Sequence, residues 1–442
     1  MNINEIEIIN FKGFQREKIS FKDNLTVVIG NNTAGKTTLL KAIQVGLGAY
    51  LQSLTYLPGG NPFRRNFTNL DTYKAFDGYN RTYLSNVEKP KITIKADFPV
   101  SYNLEEQRII SQPIEWYREY KGSYTTHTKS CAGQLIDMVH QMDEKRFEKH
   151  EETLYPLVLS FGAKRTTDAQ GKTTSRIKER ASRLEKAFKF SLHDKVDFEG
   201  AFDWLQHYEK DLKDQKEFEG TREAFYEALA IAIPALSEID FDKGEIEAIV
   251  TVTGRAPSRH HFSYMSDGLQ SMINIVSEIA HRCIELNGFL GTDAVKMTPG
   301  VVLIDEIDLY LHPHWQKHVL QDLAKAFPKI QFIVSTHSPF IVQSLKKGQL
   351  ISFDNDVLTN GEPFREGLED IASERMGLKQ DIRSRRFNEM VATATRLFEA
   401  TDNGHADRQE LKKMLDQMEA EFSDDPAYLA TVRTEYKARS KK

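Results

Sequence analysis

Apolar positions along this chain follow two rhythms, and the switches between them lay out the elements. Residues 4–9 (NEIEII) and 17–22 (EKISFK) alternate or cluster apolar side chains as short strands do, with Lys12-Gly13 between them. The run 25–30 (LTVVIG) is continuous and β-branched, the pattern of a strand buried on both faces. Helical spacing takes over at once, with Leu39, Leu40, Ile43 and Leu47 on one side. Strands are predicted at 91–98 and 113–120, a helix over 131–147 and a central strand at 154–161 (LYPLVLSF). Residues 51–90 show no clear period. From about Thr166 the text turns charged, and Leu184, Phe188, Trp204, Leu205, Tyr208 and Leu212 recur at helical spacing within 175–235. Strand patterns return at 245–252, 301–306 and 331–336, separated by helices over 268–287 and up to about Phe327. Beyond Glu362 no strand pattern is found, and a charged helical hairpin ending in KARSKK is expected. Strand-helix, helical insertion, strand-helix, strand is the order of one α/β core carrying an insertion and a tail.

Three of the strands end in residues with chemistry. Gly30-Asn31-Asn32-Thr33-Ala34-Gly35-Lys36-Thr37 matches G-x-x-x-x-G-K-[ST] in full, with Thr38 beside it, and sits between an apolar strand and a helix. Glycines let the backbone curl so that successive N–H groups face phosphates. The helix N-terminus adds partial positive charge. Lys36 is placed to reach β- and γ-phosphates and Thr37 to offer a hydroxyl to Mg²⁺, so ATP and Mg²⁺ are the expected ligands. The run 301–304 ends in Asp305 and Glu306. Asp305 is the candidate Mg²⁺ carboxylate and Glu306 the candidate general base for an attacking water. The run 332–335 leads to Thr336 and His337, where the histidine is placed to sense a γ-phosphate. Catalytic candidates are therefore Lys36, Glu306 and His337.

Taken together these segments resemble the ABC family of ATPases. Tyr264-Met265-Ser266-Asp267-Gly268-Leu269-Gln270 resembles its signature loop, with Asp267 where transporters usually carry glycine. Leu311-His312-Pro313 and the N-terminal INFKGF resemble the RecF/OLD-like branch. The resemblance covers about residues 1–50 and 245–345. It implies an α/β P-loop NTPase of ABC type, with the ATPase core in 1–165 and 245–360, an inserted helical lobe at 166–244 and a C-terminal helical tail at 361–442. It also implies a sandwich dimer, in which Ser266, Asp267 and Gly268 of one chain cap the ATP held by Lys36 of the other. Gln112 and Gln170 are the candidates for its Q-loop glutamine.

The segments FDWL (202–205), DEIDLYLHPHWQ (305–316), STHSP and GLEDIASERMGL (367–378) look similar to the Septu-type antiphage-defence ATPases, the PtuA family, which also occur as retron effector subunits. That resemblance implies an HNH-type nuclease partner (PtuB-like), a retron reverse transcriptase with its RNA and DNA as a further partner, and residues 368–442 as the docking region. The RecF-like reading, a repair ATPase that binds DNA itself, is the alternative.

The 442 residues, 40% hydrophobic and 28% charged, fit a globular chain large enough for more than one domain. Net charge −5 restricts nucleic-acid contact to a local basic patch, with candidates in 164–183 and in Lys379, Arg383, Arg385 and Arg386. Two cysteines, Cys131 and Cys283, without ligand spacing favour a reducing cytoplasm over a disulfide framework or a zinc site. No apolar run approaches a membrane span, and the N-terminus is not patterned as a secretory signal. Asp354-Asn355-Asp356 is expected to be a hairpin turn, and no intrinsic nuclease cluster is found.

Overall fold

The computed structural model describes residues 1–21, 24–74, 76–77, 82–83, 88–163, 181–194, 198–251, 254–354, 361–378, 385–402, 408–423 and 426–439. Its strands are β1 (Asn2–Phe11), β2 (Phe14–Ser20), β3 (Leu25–Ile29), the short pair β4 (Phe76–Asp77) and β5 (Thr82–Tyr83), β6 (Lys91–Asn103), β7 (Arg108–Glu119), β8 (Leu157–Phe161), β9 (Leu236–Asp242), β10 (Glu245–Val250), β11 (Ser258–His261), β12 (Gly300–Ile304), β13 (Ile330–Ser335) and β14 (Leu350–Ser352). The helices up to Asp370 are α1 (Lys36–Ser53), α2 (Lys129–Asp143), α3 (Arg183–Phe188), α4 (Glu199–Lys213), α5 (Thr221–Ala232), α6 (Asp267–Asn287), α7 (Ala294–Met297), α8 (Pro313–Gln316), α9 (Val319–Ala326), α10 (Pro339–Gln343) and α11 (Leu368–Asp370).

The continuous apolar runs become the central sheet. Its order is β14-β3-β13-β12-β8, and every pairing in it is parallel. All residues of β3, β8, β12 and β13 are buried, which a strand covered on both faces demands. The alternating runs become a second sheet, antiparallel, in the order β2-β1-β6-β7. In β1 the burial alternates with the side-chain period, so one face is covered. Helix α1 packs against strands of both sheets, and 14 of its residues are buried. Two side chains of β7 fix it there. Trp116 Nε1 donates to the Gly46 carbonyl at 2.9 Å, and the fully buried Arg118 donates to the Val45 carbonyl at 2.9 Å.

The charged insertion supplies α3, α4 and α5, all of which pack on α6. A buried ionic cluster joins α3 to α6. Glu285 lies 3.4 Å from Arg183 and 3.3 Å from Lys186. Burial alone would raise its carboxyl, but Arg183, His281 and Lys186 bring it down to about 2. Arg282 pairs with Glu278 at 2.6 Å and caps the Lys189 carbonyl at 2.9 Å. β9 lies within the stretch 166–244 expected to be helical and pairs with β10, and β11 completes that antiparallel sheet. β9 was not expected, because its sequence LSEIDFD carries only three apolar residues among acids in a stretch read as helical.

Two further expectations change. The single helix expected after 306 is two short helices, α8 and α9, broken at Lys317-His318. The C-terminal hairpin is three helices, α12 (Arg385–Asp402), α13 (Arg408–Glu421) and α14 (Pro426–Arg439). They belong to a separate compact unit, residues 372–442, while residues 1–371 form the other. The C-terminal unit has its own core of Met390, Ala394, Leu397, Leu411, Met418, Phe422, Leu429 and Val432. No helix among the described residues is long and apolar enough to cross a membrane.

Candidate nucleotide site

The loop between β3 and α1 takes the shape that phosphate binding needs. Gly30 (φ 152°), Thr33 (φ 73°) and Gly35 (φ 114°) adopt left-handed conformations that turn the chain back on itself. Gly35 leaves no room for a side chain, since an added Cβ would stand 2.5 Å from the Phe14 ring. Ala34 N donates to the Asn31 carbonyl at 3.1 Å across the turn. Lys36 is 7% exposed and donates to the carbonyls of Gly30 at 2.7 Å and Asn31 at 3.1 Å. Burial lowers its pKa, against the pull of Asp305, Asp354, Glu306 and Asp308.

Parallel pairing brings the two candidate acids to this loop. Thr37 Oγ1 donates to Asp305 Oδ2 at 2.8 Å, so the hydroxyl and carboxylate proposed for one metal already adjoin. Ser335, at the end of β13, donates its hydroxyl to the other oxygen of Asp305 and accepts from Glu306 N at 2.8 Å. Glu306 is half-buried and holds φ 50°, a left-handed conformation that is uncommon outside glycine. Thr336 Oγ1 donates to Asp308 Oδ1 at 2.6 Å, and Ser338 caps α10 while donating to Gln316 Oε1 at 2.6 Å. His337, between these two, is exposed. Oxygen donors and backbone N–H groups in this arrangement fit a triphosphate with a hard divalent cation.

Ser266, Asp267 and Gly268 open α6. Ser266 is its N-cap, and both Ser266 and Asp267 are exposed. Gly268 is buried under the loop that follows β12, where an added Cβ would lie 2.4 Å from the Tyr310 carbonyl oxygen. Among the described residues no hydrogen bond joins 266–268 to 30–38 or to the two acids. The Gly268→Ala variant is expected to cost about 1–3 kcal/mol of stability by overpacking against the Tyr310 carbonyl and, by displacing the loop that follows the two acids, to lower ATP turnover by roughly 10- to 100-fold. Nucleotide affinity should change less than about twofold. Turnover equal to wild type would show that this contact has no part in catalysis.

Two residues here were not found by sequence reasoning. Ser335 had a weak signal, a hydroxyl ending an otherwise apolar buried strand. Asp354 had none, because its neighbour is set by a parallel pairing across the whole chain. Its carboxylate accepts from Asn31 N, with both oxygens at 3.0 Å. The hairpin turn expected from Asp354 falls largely on 355–360, outside the described residues. Gln112 is exposed on the edge strand β7 and is not brought to this site, and Gln170 lies outside the described residues. The basic segments are only partly described. Arg183 is engaged with Glu217, Glu285 and the Ile284 carbonyl, and Arg386 donates to the Glu421 carbonyl, so these two have structural partners.

Residues 25–343 match the family model described as "AAA domain, putative AbiEii toxin, Type IV TA system". The chain is similar to the "Retron Ec83 probable ATPase" of Escherichia coli, 24% identical over 435 residues, covering 83% of this chain and 73% of that protein. A shorter stretch is similar to the "Septu protein PtuA" of Bacillus mycoides (strain KBAB4), 37% identical over 115 residues, covering 26% of this chain and 15% of that protein. Among solved structures it is similar to an Smc head bound to the C-terminal winged-helix domain of ScpA, with TM-score 0.44, 19% identity, and 80% and 94% of the two chains covered.

Proposed function

Because this chain belongs to the AAA-domain family of P-loop ATPases named for the AbiEii toxin, we propose that it is the ATPase subunit of an antiphage-defence system, binding and hydrolysing ATP as a sandwich dimer and controlling a separate HNH-type nuclease. One observation carries the ATP reading. Lys36, Thr37 and Asp305 are packed at one point, with the Thr37 hydroxyl 2.8 Å from the Asp305 carboxylate. In this reading the backbone N–H groups of Asn31, Asn32, Thr33, Ala34 and Gly35 hold phosphate oxygens. Lys36 turns from the loop carbonyls to the β- and γ-phosphates, and Thr38 closes the first turn. Thr37 and Asp305 would hold Mg²⁺, whose role is to neutralise phosphate charge. Glu306 takes a proton from the attacking water, held in place through Ser335. His337 meets the γ-phosphate. Ser266, Asp267 and Gly268 of the second copy close the site with the N-terminus of α6.

The defence role is supported by similarity to a retron ATPase over most of both chains and by the local likeness to PtuA. The C-terminal unit, with a core of its own, is the proposed dock for the nuclease. A retron reverse transcriptase with its nucleic acid is a further proposed partner. The test is to purify the full chain together with a PtuB-like HNH nuclease and weigh the product by light scattering with and without ATP and Mg²⁺. A complex containing a dimer of this chain supports the reading. A monomer that ignores the nuclease and gains ATP-dependent affinity for DNA ends overturns it in favour of the RecF-like alternative.

A further inference from the structure

Asp354 stands at the mouth of the phosphate-binding loop, and none of the hydrolytic roles above uses it. Its place is built by β14, which runs parallel to β3 with Ser352 beside Ile29. The ladder continues one residue further, since Phe353 N donates to the Ile29 carbonyl at 3.1 Å. The Phe353 ring lies 5.4 Å from the Phe14 ring, the same ring that closes against Gly35. Asp354 N donates to Ser352 Oγ at 3.1 Å. The backbone is thus held on three sides, and the carboxylate spans both oxygens onto Asn31 N. A phosphate that takes this N–H must turn the carboxylate aside. The anchored backbone keeps the negative charge close by.

We propose that Asp354 is a specificity-determining residue, a fixed charge that competes for the Asn31 N–H and discriminates against metal-free triphosphate in favour of the magnesium complex. The inference rests on the loop binding ATP, as argued above. Coulomb repulsion scales with the ligand's charge, about −4 for free ATP and about −2 for its magnesium complex near neutral pH, so the free nucleotide meets about twice the penalty. A fixed charge here would keep the dimer from closing on nucleotide that lacks its metal.

The experiment measures affinity of the full chain for a fluorescent N-methylanthraniloyl ATP, once in EDTA and once with excess Mg²⁺. Asp354→Asn keeps an oxygen for the Asn31 N–H and removes the charge. The expected result is roughly threefold tighter binding with Mg²⁺ and roughly tenfold tighter binding in EDTA, so the ratio of the two Kd values falls about threefold. Asp354→Ser gives the same reading if the Asn variant melts early. Equal tightening in both conditions, or no change, overturns the proposal. So does weaker binding with Mg²⁺ alone, which would make Asp354 a metal ligand. If wild type binds in neither condition, the ATP reading itself fails, and the proposal fails with it.

Discussion

Glu306→Gln is expected to lower steady-state ATP turnover by roughly 10³-fold, about 4 kcal/mol of barrier, and to leave nucleotide affinity within about threefold of wild type. The reasoning is geometric. Glu306 emerges from a fully buried strand, and its N–H is tied to Ser335 Oγ at 2.8 Å. The same serine donates to the Asp305 carboxylate, so one hydroxyl fixes the Asp305 side chain and the Glu306 main chain. Glutamine matches glutamate in size and keeps the left-handed backbone at φ 50°, so the loop should not move. What it loses is the ability to take a proton. Binding, which depends on the phosphate loop and Asp305, should therefore persist, and the variant should accumulate as ATP-bound dimer in light scattering. A fall in affinity to match the fall in turnover would show that Glu306 holds the nucleotide or metal instead.

Lys36→Ala is expected to weaken ATP binding by about 100-fold or more, some 3 kcal/mol, without a comparable loss of stability. In the structure Lys36 neutralises no single carboxylate. It bonds two loop carbonyls and is held almost out of water, a costly position for a cation, as its lowered pKa reflects. Removing it deletes both the two hydrogen bonds and the burial penalty, and these offset. The thermal midpoint should shift by no more than a few degrees, while binding of the fluorescent ATP analogue is lost. A variant that unfolds would assign Lys36 a structural role. A variant that still binds would move the nucleotide elsewhere.

The local parts of this site could be read from the chain. The run LTVVI followed by glycine gives a buried strand, a turn and a helix start within a few residues, and each step has a local cause. The same holds for VVLI before Asp305 and for FIVS before Thr336. What could not be read was adjacency across the central sheet. Ser335 matters because β13 lies beside β12, and Asp354 matters because β14 lies beside β3. Neither pairing leaves a trace in local periodicity. The pattern around Asp354 looked like a turn because Asp, Asn and Gly favour turns wherever they stand. The break between α8 and α9 was missed because it carries no stop signal, whereas the third C-terminal helix was missed although Ser423-Asp424-Asp425 before Pro426 marks its start. At Lys317-His318 there is no glycine or proline to end a helix.

The central sheet also sets a schedule for synthesis. β3 is among the first strands made, yet it lies between β13 and β14, and its loop touches a side chain 323 residues downstream. Contacts this distant form slowly, because the chain must close a long loop before any of them is made. On a ribosome the N-terminal half would leave the exit tunnel with its glycine loop made but its acids not yet translated. A nascent chain of that length would hold the glycine loop without Asp305 beside Thr37, so the metal-side contact of the site would form only after the central sheet had closed.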